Sequence, residues 1–311
     1  MFEVKKFDNW LEDNASGKFG SGASEKIWLV NPNTNEKGLF KFPKVKDKEK
    51  GTTTGEYWAE KLASEIGKMI DVKCADVDIG TYNGRVGSMS YNILKKQGDS
   101  FFEGIYFIQK RYPYYNKNKL EDTYSNEKYS VQMIENSLMQ DYEFNIKQIY
   151  QMIIFDILIG NSDRHHSNWA LASKKKIEND IKTVIWNLCP LYDNGSSLCA
   201  YEYNNDLSIF FKDKMKFEAL VNSKSKSAIG WKNERPIRQF ELLKELKENM
   251  YNSTVEYIRK IQNNINEEKI DNLLKQFAEN IIGTDMKMLL KMFLLERRKK
   301  MIEIYNLENE V

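Results

Sequence analysis

Leu158-Ile159-Gly160-Asn161-Ser162-Asp163-Arg164-His165-His166-Ser167-Asn168 closes a strongly apolar run that starts at Ile149, and it holds the only two histidines of the 311-residue chain. One turn therefore gathers the rarest polar side chains of the sequence beside an Asp, an Arg and two Asn. The stretch before it, Ile146 to Ile159, is apolar nearly all round a helical wheel, which predicts a central buried helix. A second acidic turn follows at Leu191-Tyr192-Asp193-Asn194-Gly195-Ser196-Ser197. Asp163 with Asn168 five residues on, and Asp193 in a glycine turn downstream, is the set of oxygen donors that a phosphotransferase uses to orient a hydroxyl and hold Mg2+.

Towards the N-terminus the pattern turns from helix to strand. A glycine and serine cluster, Ser16 to Ser24, runs into the strand-like Lys26-Ile27-Trp28-Leu29-Val30; turn formers fill Asn31 to Gly38, and Leu39 to Pro43 reads as the returning strand. After a Lys-rich loop, Glu56 to Met69 places Tyr57, Leu62, Ile66 and Met69 at helical spacing. Segments 72 to 81 and 84 to 94 predict two further strands around Tyr82-Asn83-Gly84. Beyond residue 130 the pattern is helical: Val131 to Met139, the central helix, and three or four amphipathic helices over 238 to 305. Two short strands, Trp169 to Leu171 and Thr183 to Trp186, lead into Asp193. The whole reads as α+β, with a small β-rich N-lobe (1 to 110), a larger helical C-lobe (111 to 311) and a cleft between them. The aromatic stretch Phe101 to Tyr115 is assigned to core and interlobe packing rather than to a substrate groove.

Composition narrows the function. A content of 41% hydrophobic and 13% aromatic residues builds a core, and 47 basic against 45 acidic residues give no global field that would draw nucleic acid or an anionic membrane. Cys74, Cys189 and Cys199 make no CxxC pair and no zinc framework, which fits a reducing cytoplasm. The N-terminus lacks the apolar core of a signal peptide, and the best apolar runs are broken by Asp156 or Lys291, so no membrane span is expected.

Asp163 is the expected catalytic base, because a carboxylate there can take a hydrogen bond from an acceptor hydroxyl and hold it in line. Asn168 and Asp193 are the expected Mg2+ ligands, since this ion takes few protein oxygens and completes its shell with phosphates and water. Lys41 lies on a strand between Phe40 and Phe42, whose side chains point to the other face, so its ammonium should enter the cleft. Glu56 is its expected partner, although Glu60 and Glu65 share the same helix. Gly20-Ser21-Gly22-Ala23-Ser24 can bring backbone N–H groups close to the phosphates of ATP. A Ser-His-Asp hydrolase is disfavoured because no G-x-S-x-G elbow is present.

Taken in order, Ser21-Gly22-Ala23-Ser24-Glu25-Lys26, Phe40-Lys41-Phe42-Pro43, Glu56 with its helix, Leu158 to Asn168 and Pro190-Leu191-Tyr192-Asp193 resemble the HipA-type bacterial serine/threonine kinases, particularly the short stand-alone members. The Asp-Arg-His-x-x-Asn core is also similar to phosphoinositide-kinase-like enzymes. The resemblance implies a two-lobed protein-kinase-like fold, ATP and Mg2+ as cofactors, transfer to protein serine or threonine, and autophosphorylation. It implies that His165 braces the catalytic turn; the adjacent His166 is read as a solvated neighbour. It further implies a toxin-like role on translation components such as an aminoacyl-tRNA synthetase. An antitoxin partner is a further expectation, although the chain shows no counterpart of the extra N-terminal subdomain of full-length HipA. In that family a phosphorylated serine near the Gly-rich loop ejects the loop; this chain has Phe19 where that serine would stand, leaving Ser21, Ser24 and Ser16 as candidates, with Ser223, Ser225 and Ser227 as the alternative. A lipid or small-molecule kinase and a nucleotide-binding pseudokinase are the competing readings. Asp-Asn-Gly replaces Asp-Phe-Gly here, so no Phe-based switch carries over.

Overall fold

The computed structural model describes residues 1–13, 25–47, 49, 51–93, 100–139, 142–178, 181–203, 205–222 and 226–308. The Gly-rich loop, with Ser16, Gly20, Ser21, Gly22, Ala23 and Ser24, lies outside them, as do Ser223 and Ser225.

The strand-like stretches form a six-stranded sheet in the order Lys5–Lys6, Val77–Tyr82, Arg85–Tyr91, Lys37–Lys41, Lys26–Val30, Leu11–Glu12. Its first pair is parallel and the others antiparallel. Alternation decides its two faces. Phe40 and Phe42 turn back into a cluster with Phe7, Trp10, Leu29, Tyr82 and Met89, leaving Lys41 on the opposite face. Helix Glu56–Met69 packs against this sheet, burying Trp58, Leu62 and Ile66. A four-stranded sheet follows, in the order Glu143–Phe144, Ile181–Leu188, Ala170–Glu178, Ser100–Glu103. The chain thus leaves the first sheet after Tyr91 and enters the second at Ser100.

Helix Lys147–Ile159 buries nearly every residue, Asp156 included. It stops at Gly160, whose φ of 70° lies in the left-handed region that lets the chain reverse without a Cβ clash. Helices Gln239–Asn264 and Thr284–Tyr305 pack against it, and Glu267–Leu274 packs against the second of these. Of the aromatic stretch, Phe107, Tyr112 and Tyr115 are buried, whereas Tyr106 and Tyr114 are exposed. Ser227 is buried, its hydroxyl accepting from the Ile229 N–H. The three cysteines are free thiols. Among the described residues, no helix is long and apolar enough to cross a membrane. The fold is α+β and two-lobed, a small β-rich part set on a larger helical one.

Candidate active site

Between the two sheets lies a cavity of about 620 Å³, within the range that takes a nucleotide-sized ligand. Lys41, Asp163, Asn168 and Asp193 all line it. Lys41 Nζ stands 2.8 Å from Asp193 Oδ1. Burial alone would lower the Lys41 pKa, but the carboxylates of Asp193 and Glu60 reverse the shift and keep the ammonium charged. Burial likewise opposes ionisation of Asp193, and Lys41 more than offsets it, bringing that carboxyl to about 2.

The Asp193 turn is tight: its residue adopts φ 60°, and a Cβ at Gly195 would sit 3.0 Å from the Glu56 carbonyl oxygen and 3.3 Å from Glu60 Oε2. A side chain at 195 would crowd the turn where it presses on helix Glu56–Met69. This close approach lets the Asn194 N–H donate to Glu60 Oε1 at 2.9 Å.

The sequence placed Glu56 beside Lys41. Here the structure corrects that reading, because Glu56 accepts instead from Thr54 Oγ1 (2.6 Å) and the Lys44 N–H (3.0 Å), and pairs with Lys44 Nζ at 3.1 Å. Glu60, one helical turn further on and 2% exposed, is the carboxylate that faces Lys41 and Asp193. Burial pushes its carboxyl up, against the pull of Lys41 and the N–H groups of Asn194 and Gly195.

Lys26 was not singled out by sequence. It pairs in register with Lys41 on the neighbouring antiparallel strand, so both lysines enter the cavity from one sheet face. Burial, and then the charge of Lys41, lower its pKa. Lys26 and Lys41 thus set two ammonium groups side by side in the cavity, with Asp193 and Glu60 acting on Lys41, and together they can meet phosphate oxygens.

Asp163 is open to the cavity, on a turn fixed through its backbone. Its N–H donates to Asn161 Oδ1 (3.0 Å), and its carbonyl accepts from Asn168 Nδ2 (2.8 Å) and the His165 N–H (2.8 Å). Partial desolvation raises its carboxyl pKa; His165 opposes that shift and Asp193 adds to it. With its Nδ2 committed to Asp163, Asn168 keeps its amide oxygen for a ligand. Among the described residues no cluster of three or more His, Cys, Asp or Glu forms a metal cage. One carboxylate and one amide oxygen in a nucleotide-sized cavity is instead a donor set that fits Mg2+.

Arg164, also missed, organises the turn from beneath. It is 1% exposed, and all five of its N–H groups are used: Nε and Nη2 on Asp156 (2.9 and 2.8 Å), Nη1 on the carbonyls of Asn168 (2.6 Å) and Tyr192 (2.7 Å), and Nη2 on Asn194 Oδ1 (2.6 Å). One guanidinium thus ties the central helix, the Asp163 turn and the Asp193 turn together. Burial disfavours its charge, but Asp156 more than restores it.

His165 stays at the cavity wall, its Nδ1 accepting from the Ser167 N–H at 3.2 Å. His166 is not the solvated neighbour expected from its position. It is 5% exposed and 3.0 Å from the Tyr115 hydroxyl, and burial lowers its pKa to about 4.

A sequence profile described as the HipA-like C-terminal domain matches residues 19–281, and the chain belongs to that family. Among solved structures it is similar to the Helicobacter pylori proinflammatory kinase CtkA, with a TM-score of 0.77, 17% identity and 98% of each chain covered. It is also similar to HipA of Shewanella oneidensis, solved with HipB and operator DNA: TM-score 0.57, 15% identity, 96% of this chain and 70% of that one. No curated protein matches by sequence.

Proposed function

We propose that the protein transfers the γ-phosphoryl group of ATP, with Mg2+, to a serine or threonine hydroxyl of a protein, itself included. The carrying observation is that Lys41, Asp163, Asn168 and Asp193, from separate parts of the chain, converge on one cavity. Asp163 takes the hydrogen bond of the acceptor hydroxyl, orients its oxygen and receives the proton as the new bond to phosphorus forms. Lys41 and Lys26 neutralise the phosphates, with Glu60 positioning Lys41. Asn168 and Asp193 would hold Mg2+, which supplies charge to the phosphates when bound.

Ser21, Ser24 and Ser16 remain the proposed self-modification sites. A phosphate there carries about −1.5 to −2 charges and would compete with ATP for Lys41. A toxin-like role on a translation component, such as an aminoacyl-tRNA synthetase, is part of the same reading; the HipB-bound neighbour supports an antitoxin partner.

Incubation with labelled ATP and Mg2+, alone and with lysate, followed by phosphopeptide mapping, tests the proposal. Asp163→Asn should retain nucleotide binding and lose about 10²- to 10⁴-fold in transfer. Undiminished transfer in that variant, or label on lipid or small molecules alone, refutes the reading.

A further inference from the structure

Lys41 and Lys26 enter the cavity from one sheet face, and a cation near the acceptor hydroxyl would add charge where the new bond forms. Lys41 pairs with Asp193, and Lys26 lies beside Lys41 on the same sheet face. Arg164 has no N–H left. Lys46 spends its ammonium on the carbonyls of Tyr201 (2.8 Å) and Tyr203 (3.0 Å) and on Asn205 Oδ1 (2.7 Å). The Asp163 turn itself contains no lysine.

We propose that Lys44 is a further catalytic residue, whose ammonium, in the same cavity as Asp163, contacts the γ-phosphoryl group during transfer. Its Nζ is held 3.1 Å from Glu56 Oε1 and 3.3 Å from the Tyr201 hydroxyl, lies over the Tyr201 ring, and makes no other hydrogen bond among the described residues. Its side chain is 44% exposed, open to a ligand. Glu56 does not cancel it, since that carboxylate also receives Thr54 Oγ1 at 2.6 Å, the Lys44 N–H at 3.0 Å and the Tyr201 hydroxyl at 3.2 Å. In the step, the acceptor oxygen bonds to the γ-phosphorus as its proton passes to Asp163. The bond from that phosphorus to the β-phosphate bridging oxygen breaks, and its electron pair leaves on ADP. Lys44 would stabilise the γ-oxygens while neither bond is complete.

This inference rests on the proposed kinase reading, and ADP separates the two. Lys44→Met should lower kcat about 10²- to 10³-fold, while ADP, which lacks the γ-phosphate, binds with wild-type affinity. Lys44→Arg should recover part of the rate. Lys46→Met, which removes only the tie to the 201–205 segment, should lose less than Lys44→Met. Equal losses in Lys44→Met and Lys46→Met, or weakened ADP binding in Lys44→Met, would make Lys44 a structural latch and overturn the proposal. A Lys44→Met enzyme with wild-type kcat overturns it alone, whereas a wild-type protein that transfers no phosphate overturns the kinase reading as well.

Discussion

Replacing Asp156 by asparagine keeps the volume of the side chain and removes its charge. In the native chain this carboxylate is 4% exposed and takes two hydrogen bonds from Arg164, at 2.8 and 2.9 Å. The amide leaves a buried guanidinium without its counter-charge and turns an NH2 group towards a donor. Breaking a buried pair from one side costs about 3–5 kcal/mol. At about 2–4 °C per kcal/mol for a large single chain, Tm should fall by roughly 6–20 °C. Removing both charges should be cheaper, because apolar replacement of a whole buried pair is often nearly neutral. Asp156→Asn with Arg164→Met should therefore melt above Asp156→Asn alone. It should nevertheless remain poorly active, since the carbonyls of Asn168 and Tyr192 have lost the group that gathers them. Thermal denaturation followed by circular dichroism, alongside a transfer assay, reads both quantities. A Tm loss in the double variant equal to the sum of the two single losses would falsify the coupling, and full activity in it would remove the positioning role of Arg164.

Glu60→Gln should weaken nucleotide binding and transfer more than Glu56→Gln does, as the Glu60 carboxylate acts more strongly than Glu56 on Lys41; the reverse order in a titration with ATP would restore Glu56 as the partner of Lys41. His166, neutral in the fold with its pKa near 4 against about 6.5 when unfolded, binds fewer protons folded than unfolded between those values. Its contribution to stability is thus complete above pH 6.5 and lost as the pH falls towards 4, by at most about 3 kcal/mol. Urea denaturation at pH 7.5 and 5.0 should show that loss in the wild type and a smaller one in His166→Gln; equal losses would mean that other groups carry it.

The sequence made individual elements legible far better than it made pairings legible. Helix Glu56–Met69 was readable from its apolar spacing, and the hairpin around residues 31–36 from its turn formers. The choice between Glu56 and Glu60 was not, because residues four apart share one helix face, and the rotation of that helix against strand Lys37–Lys41 is set by tertiary packing. The two histidines posed the same difficulty: neighbours on one turn face different surroundings, and residues distant in sequence, Tyr115 and Tyr129, bury His166. Lys26 had a usable signal, since folding the hairpin about its turn brings 26 opposite 41. Arg164 had a better one. Asp156 is a lone carboxylate in a helix apolar on every side, so burying it charged requires a cation close by. Arg164 follows eight residues later, just beyond the left-handed reversal at Gly160 that folds the turn back over the helix end. A charge that breaks an apolar run therefore points to the residue that must answer it, and in this chain that residue also positions the candidate base and the candidate metal ligands.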